Sequence, residues 1–260
     1  MLIASLVLGS PAFAAGDVTP LSPLGPVISE GKNDGLVRGE ISMAETPLFS
    51  GAPMDRMSLF FAARHSPASG VNLRAAVGAR RATWADGEVA GGIEDVRLAT
   101  EVRFLEGQVG GEEGAMGSLW FTWEGKMPNA RDTSGLGTDE TDISVGLFGR
   151  LDGERVSLLA SGELLILGDP LQFANQDDAF RAAAGVETTL GPLEVKGRVV
   201  SRFESPRNPL WLASGATVGH RRERWGLSAD LLVGLSDAAP LFAFGANLQL
   251  FGACPAEDGD

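Results

Sequence analysis

The sequence is short of the residues from which stapled scaffolds and metal sites are built. It has one Cys, two His and no Tyr in 260 residues. A single Cys cannot close an internal disulfide, and one Cys with two His cannot supply the four ligands of a structural zinc site, so both are excluded. No run approaches the roughly 18 apolar residues of a spanning helix, so any residence in a membrane must use strands. Positive charge is also scarce: 21 Lys and Arg face 34 Asp and Glu, a formal net charge of −13. Such an excess repels phosphate backbones, and nucleic acid is excluded as a partner.

Glycine, by contrast, is abundant. Its 35 residues exceed the usual share of roughly 7% nearly twofold, which favours turns and small positions on sheets over helices. Residues 1–15 carry no charge. Leu2–Leu8 forms a short apolar core and Ala12-Phe13-Ala14-Ala15 an A-x-A cleavage pattern, so 1–15 is expected to be a secretory signal peptide. Residues 16–34 are rich in Pro and Gly and are expected to form an exposed N-terminal tail; residues 252–260 are expected to form an acidic C-terminal tail.

Between Gly35 and Phe251 apolar residues alternate with polar or small ones. In Val96–Phe104 one face is Val96, Leu98, Thr100, Val102 and Phe104, and the other is Arg97, Ala99, Glu101 and Arg103. In Leu193–Phe203 the charges Glu194, Lys196, Arg198 and Arg202 again share one side. A period of two with charge on one side describes a sheet with one apolar face. Ten more segments behave as strands: Leu36–Met43, Met57–Arg64, Val71–Trp84, Ser118–Lys126, Asp142–Arg150, Val156–Leu165, Ala179–Leu190, Leu210–His220, Trp225–Leu235 and Leu241–Phe251. Many have the length of about 9–11 residues that a tilted membrane strand needs, not the roughly 5–6 usual in soluble proteins. From Met127–Thr141 onward the connections alternate long and short, the rhythm of barrels with short periplasmic turns and longer outer loops.

The expected fold is therefore all-β: a transmembrane antiparallel up-and-down β-barrel of about 12 strands, within roughly 10 to 14, in the bacterial outer membrane. The barrel is expected over residues 35–251, with both ends on the periplasmic side. A soluble sandwich or lipocalin-like barrel would explain the alternation too; strand length, signal and turn rhythm favour the membrane. Phe104, Phe180, Phe203, Trp225 and Phe242 are then expected at strand ends as an interfacial girdle. The lumen receives Arg97, Glu101, Arg103, Glu124, Lys126, Arg150, Glu163, Arg181, Glu187, Glu194, Lys196, Arg198, Arg202 and Asp230. Two roles stay open for this mixed set: a lining that selects solutes, or a structural ion-pair network that fills a narrow barrel. The acidic excess is expected on loops and tails, at Asp86–Asp95, Glu112-Glu113, Asp139–Asp142, Asp177-Asp178 and Glu257–Asp260.

The last segment, Leu241–Phe251, resembles the insertion signal of bacterial outer-membrane proteins, with Gly245, Leu248 and Leu250 at its glycine and apolar positions. The resemblance implies recognition by the outer-membrane insertion machinery. Thr133–Leu147 resembles a Gly-Leu-Gly-Thr-Gly-x-Thr-Asp-x-x-Leu-Gly-Leu segment of outer-membrane transporters associated with the meta pathway of phenol degradation, with Asp139 in place of a Gly. That family implies a barrel passing small, partly hydrophobic compounds.

His65 and His220 are the only histidines. Both fall at strand ends expected on the periplasmic rim, away from the outer leaflet where barrel enzymes act on their substrates. The chain is accordingly expected not to be an enzyme, with no catalytic residues, cofactor or metal. The expected function is a monomeric channel passing small solutes through a narrow charged lumen, with membrane lipid as its surroundings. A non-conducting barrel with a structural or loop-binding role is the alternative, and an outer-membrane enzyme comes third.

Overall fold

The computed structural model describes residues 34–43, 53–84, 87, 89–110, 114–128, 141–166, 178–203, 210–222, 224–236 and 242–251. The expected signal peptide, the N-terminal tail apart from Asp34, and the acidic C-terminal tail lie outside these. Among the described residues all regular structure is strand: β1 (Asp34–Met43), β2 (Pro53–Ala68), β3 (Val71–Trp84), β4 (Val89–Ile93), β5 (Val96–Val109), β6 (Ala115–Met127), β7 (Asp142–Asp152), β8 (Val156–Ile166), β9 (Ala179–Leu190), β10 (Leu193–Phe203), β11 (Trp211–Arg221), β12 (Trp225–Gly234) and β13 (Phe242–Phe251).

Every pairing is antiparallel. Neighbours in sequence are neighbours in space, and β1 pairs with both β2 and β13, so the ladder returns to its first strand. That is the up-and-down barrel, the arrangement that leaves no backbone edge exposed to lipid. β4 is not a separate wall position. It pairs with β3 from Ala79↔Ile93 to Thr83↔Val89, and β5 takes over along the same strand from Ala76↔Arg97 to Val71↔Val102. The two together form one wall strand interrupted at Glu94-Asp95, which leaves the twelve antiparallel wall strands that the alternation implied.

Two local departures correct the sequence-based boundaries. Val89-Ala90-Gly91-Gly92-Ile93 is short, glycine-rich and followed by two acids, and so reads as an acidic loop. Instead it is strand, and Glu94 and Asp95 are only 2% and 4% exposed. β5 does not stop at Phe104 but runs to Val109 through a bulge between Arg103 and Leu105. A bulge inserts one unpaired residue and breaks the period of two; Phe104 and Leu105 are consequently both on the outside, 48% and 59% exposed.

The two ends of the barrel differ. Residues 69–70, 110–114, 153–155, 191–192 and 222–224 join strands at one end, while residues 44–52, 85–88, 128–141, 167–178, 204–210 and 235–241 join them at the other, where most connections are longer. The tightest turns rely on glycine: Gly70 and Gly191 have φ of +74° and +61°, a region in which a Cβ is strained. Both chain ends of the barrel, the start of β1 and the end of β13, lie at the short-turn end.

The faces are inverted relative to a soluble protein. Outside stand Leu59, Phe61, Leu147, Leu158, Leu164, Val186, Val199, Val218, Leu227, Leu231 and Phe244, all exposed. Inside are arginines, lysines, carboxylates and amides, with a minority of apolar residues. In water the exposed band would be a very large apolar patch with no partner. Facing hydrocarbon, it is the lipid surface of a spanning barrel. The soluble sandwich fails on this point, because among the described residues no second sheet covers the apolar faces.

Candidate functional site: the charged lumen

Strand parity decides what enters the lumen. Inward positions fall at even numbers on β3 (Asn72, Arg74, Arg80), β6 (Thr122, Glu124, Lys126) and β10 (Lys196, Arg198, Arg202), and at odd numbers on β8 and β9 (Glu163; Arg181, Glu187). Of the lumen residues expected from sequence, Arg97, Glu101, Glu124, Lys126, Glu163, Arg181, Glu187, Lys196, Arg198, Arg202 and Asp230 are buried inside the barrel. Arg103, Arg150 and Glu194 are half-buried toward the short-turn end.

These groups meet in an ordered set of pairs between adjacent strands. Near the long-connection end Arg80 Nε is 2.7 Å from Glu94, and Lys126 Nζ is 3.6 Å from Asp95 and 2.5 Å from Asp142. The interruption between β4 and β5 is what delivers both acids to these cations. Next to these, Arg97 donates to Glu124 at 2.8 Å, and Arg181 donates to Glu163 through Nε and Nη2. Toward the short turns Arg74 lies 2.5 Å from Glu101, Lys196 lies 2.8 Å from Glu187, and Arg150 reaches both Glu187 at 3.2 Å and Asp152 at 2.6 Å. On the opposite wall Asp230 is held by neutral donors, Thr217 Oγ1 at 2.5 Å and Asn247 Nδ2 at 2.8 Å. Arg103 lies over the inward Trp120 ring, 5.5 Å from its centroid.

Several lumen residues were not singled out from sequence: Arg64, Arg74, Arg80, Glu94 and Asp95, with the neutral Ser58, Asn72, Thr122, Thr217, Asn247 and Gln249. The consecutive charges Arg80-Arg81 hid the period on β3, although Asn72, Arg74 and Arg80 share its even face. Glu94 and Asp95 were hidden by the break they occupy, so the expectation that the Asp86–Asp95 acids are solvated is wrong for these two. Asp142 is likewise drawn to Lys126 and away from the loop.

Among the described residues nine cations are buried in the lumen (Arg64, Arg74, Arg80, Arg97, Lys126, Arg181, Lys196, Arg198, Arg202) against seven acids (Glu94, Asp95, Glu101, Glu124, Glu163, Glu187, Asp230). Among these fully buried residues cations outnumber acids by two although the whole chain carries −13; the half-buried Arg103, Arg150, Asp142, Asp152 and Glu194 add two cations and three acids. The surplus is uneven. β10 projects Lys196, Arg198 and Arg202 inward on one strand, whereas β11 and β13 contribute Thr217, Asn247, Gln249, Ala213 and Ala243. Apolar side chains narrow the passage as well: Trp120, Phe148, Leu159, Val200 and Leu232 join in one internal cluster.

Both histidines lie at the short-turn end, as expected. His65 is exposed near the end of β2; His220 contacts the Pro192 carbonyl oxygen at 3.0 Å and packs near Trp225 with ring centroids 5.8 Å apart. Of the girdle residues, Phe104, Phe180, Phe203 and Trp225 are exposed on the outer face and Phe242 is half-buried. The segment 133–140 of the phenol-transporter resemblance lies outside the described residues.

No protein-family model and no curated relative matches this chain. Solved structures do. An outer-membrane channel of the COG4313 group from Pseudomonas putida F1 matches with a TM-score of 0.64 over 87% of this chain and 97% of its own, at 11% identity. A KdgM porin matches with a TM-score of 0.53 over 84% and 98%, at 8% identity. The class is therefore the outer-membrane β-barrel, of the architecture used by channels and porins. One expectation needs correcting. The chain was expected not to be an enzyme, and that expectation does not stand, because a fold by itself does not decide function. The barrel gives no ground for that exclusion.

Proposed function

We propose that this chain is a passive outer-membrane channel for small solutes, with a preference for anions. The observation that carries the reading is the sorting of charge: a net-acidic chain places nine cations and seven acids inside the barrel and an apolar band outside. Charged lumen walls with a surplus of one sign set ion selectivity by the field they produce. Arginine suits the role, because its planar guanidinium binds carboxylates bidentately and never loses its charge. The side chains that fill the lumen restrict passage to small molecules. The resemblance of Thr133–Leu147 to phenol-pathway transporters suggests small, partly hydrophobic compounds as the solute class, and the internal Trp120, Phe148 and Leu159 give such molecules an apolar wall.

A second reading has its own observation. The fully buried inward charges are no more than 8% exposed and many are paired across strands, as in a barrel filled by its own ion pairs. Swelling of liposomes containing the folded protein separates the two. The channel reading expects swelling in small carboxylates faster than in amines of equal size; a folded barrel that passes neither is the non-conducting one.

A further inference from the structure

We propose that the outer wall formed by β13, β1, β2, β3 and β4 carries a binding site for a phosphate-bearing lipid of the outer leaflet, with Arg81 holding the phosphate and an adjoining groove holding an acyl chain. This rests on the placement of the barrel in a membrane and is independent of whether the lumen conducts.

Arg81 is out of place by the rule that orders the rest of the wall. On β3 its neighbour Arg80 turns inward to Glu94, while Arg81 points outward and is exposed, between Met57 on one side and Gly91 on the other in the strand register. It has no side-chain partner among the described residues. A cation on the lipid face is costly at the bilayer midplane and nearly without cost near the interfaces. Arg81 sits where that cost is small. It lies three residues before the end of β3 at the long-connection end, where Phe203 closes β10 and Phe180 and Phe242 open β9 and β13. With the longer loops outside the cell, this is the headgroup level of the outer leaflet.

The wall beside Arg81 is hollow. A groove of about 790 Å³ is lined by Met57, Leu59, Ala79, Arg81, Ile93 and Phe244, together with backbone of the intervening positions. The hollow follows from the sequence: one row of register-paired positions reads Ala246, Gly39, Leu59, Ala79, Ile93, so three small residues stand among two large ones. An apolar groove ending in one unpartnered guanidinium at headgroup height is complementary to an acyl chain that ends in a phosphorylated headgroup. Guanidinium binds phosphate through two parallel hydrogen bonds, and more strongly where water is scarce. Lipopolysaccharide carries that chemistry on the long-loop side, and we commit to it over a phospholipid of the inner leaflet, whose headgroups lie at the other end of the barrel.

Native mass spectrometry of the full-length folded protein in detergent, titrated with phosphorylated lipid A, tests the site. The expected result is one retained lipid whose binding weakens at least tenfold in Arg81→Gln. Removal of the phosphates from lipid A should cost the wild type as much as the substitution does. Ala79→Leu, which fills the groove and leaves Arg81 in place, should also weaken binding, while Arg155→Gln in a short turn should leave it unchanged. Heat-modifiable gel mobility checks that each variant is folded. Equal binding by wild type and Arg81→Gln, or by phosphorylated and dephosphorylated lipid A, overturns the proposal. Equal Arg81-dependent binding of phosphatidylglycerol overturns the assignment to the outer-leaflet lipid. Liposome swelling unchanged in Arg81→Gln separates this site from the channel reading.

Discussion

Asp230 and Leu231 are adjacent in the chain and opposite in environment: Asp230 is 1% exposed, bonded to Thr217 and Asn247, and Leu231 is 48% exposed on the outer face. Substituting arginine on the outer face tests which side is lipid. Ala229→Arg, exposed on the same face as Leu231 and at the middle of β12, should lower unfolding stability in lipid vesicles by about 2–4 kcal/mol, read as a shift in the urea midpoint. An unchanged midpoint would mean that the exposed band does not face hydrocarbon. Within the lumen, removing one member of a buried pair leaves the other charge uncompensated, a loss of about 3–5 kcal/mol where water is fully excluded and less where the lumen is wet. Glu163→Ala should therefore destabilise the barrel more than the double replacement of Glu163 and Arg181 by alanine. A double-mutant cycle measures the coupling, and additive effects would show that the Arg181–Glu163 pair contributes nothing.

Strands curl into a barrel where their inward residues are small enough to let walls approach. A Cβ at Gly185 would lie 2.8 Å from the Gly197 carbonyl oxygen, and one at Gly215 3.0 Å from that of Leu231. Backbone atoms cannot step aside as a side-chain end can. Gly185→Val should reduce the heat-modifiable, folded fraction after refolding, whereas Ala184→Val on the outward neighbour should leave it unchanged. The hairpin between β9 and β10 makes a parallel case, since a Cβ at Gly191 meets nothing within 4 Å but the residue has φ +61°. Gly191→Val should cost about 1–2 kcal/mol by backbone strain alone.

Elements of this kind were legible in the sequence where period two ran unbroken. Ala179–Leu190 and Leu193–Phe203 have the bounds their alternation implies. Legibility failed where geometry interrupts the period. The bulge after Arg103 hid the second half of β5, and the break at Glu94-Asp95 hid β4 together with two lumen acids. The expected lumen residues all turn inward to some degree, because one charged residue on an alternating strand fixes the face of its whole strand. Their partners were not legible, since pairing depends on register between strands, as with Lys196 and Glu187. Arg81 escaped notice for a related reason: next to Arg80 it looked like noise in the pattern, and only the register places the two on opposite sides of the wall.

At the scale of the molecule, a net charge of −13 and a mean hydropathy of +0.07 describe nothing physical until the faces are separated. Nine of the 21 cations but only seven of the 34 acids are buried in the lumen among the described residues, so the acidic excess belongs mostly to the remainder of the chain. On the proposed channel reading, the sorted charges give a cation-rich passage through an apolar-coated barrel. Its steering of ions should weaken with salt, because the Debye length falls from about 10 Å at 0.1 M to about 3 Å at 1 M. Selectivity measured at the lower concentration should therefore exceed that at the higher.

The reversal potential of single channels in a planar bilayer under a potassium chloride gradient tests the central claim most directly. The account predicts discrete openings with a potential on the chloride side, moved toward potassium when Arg198 and Arg202 are both replaced by glutamate. A correctly folded barrel that stays silent, or one whose reversal potential is unmoved by those substitutions, would contradict it.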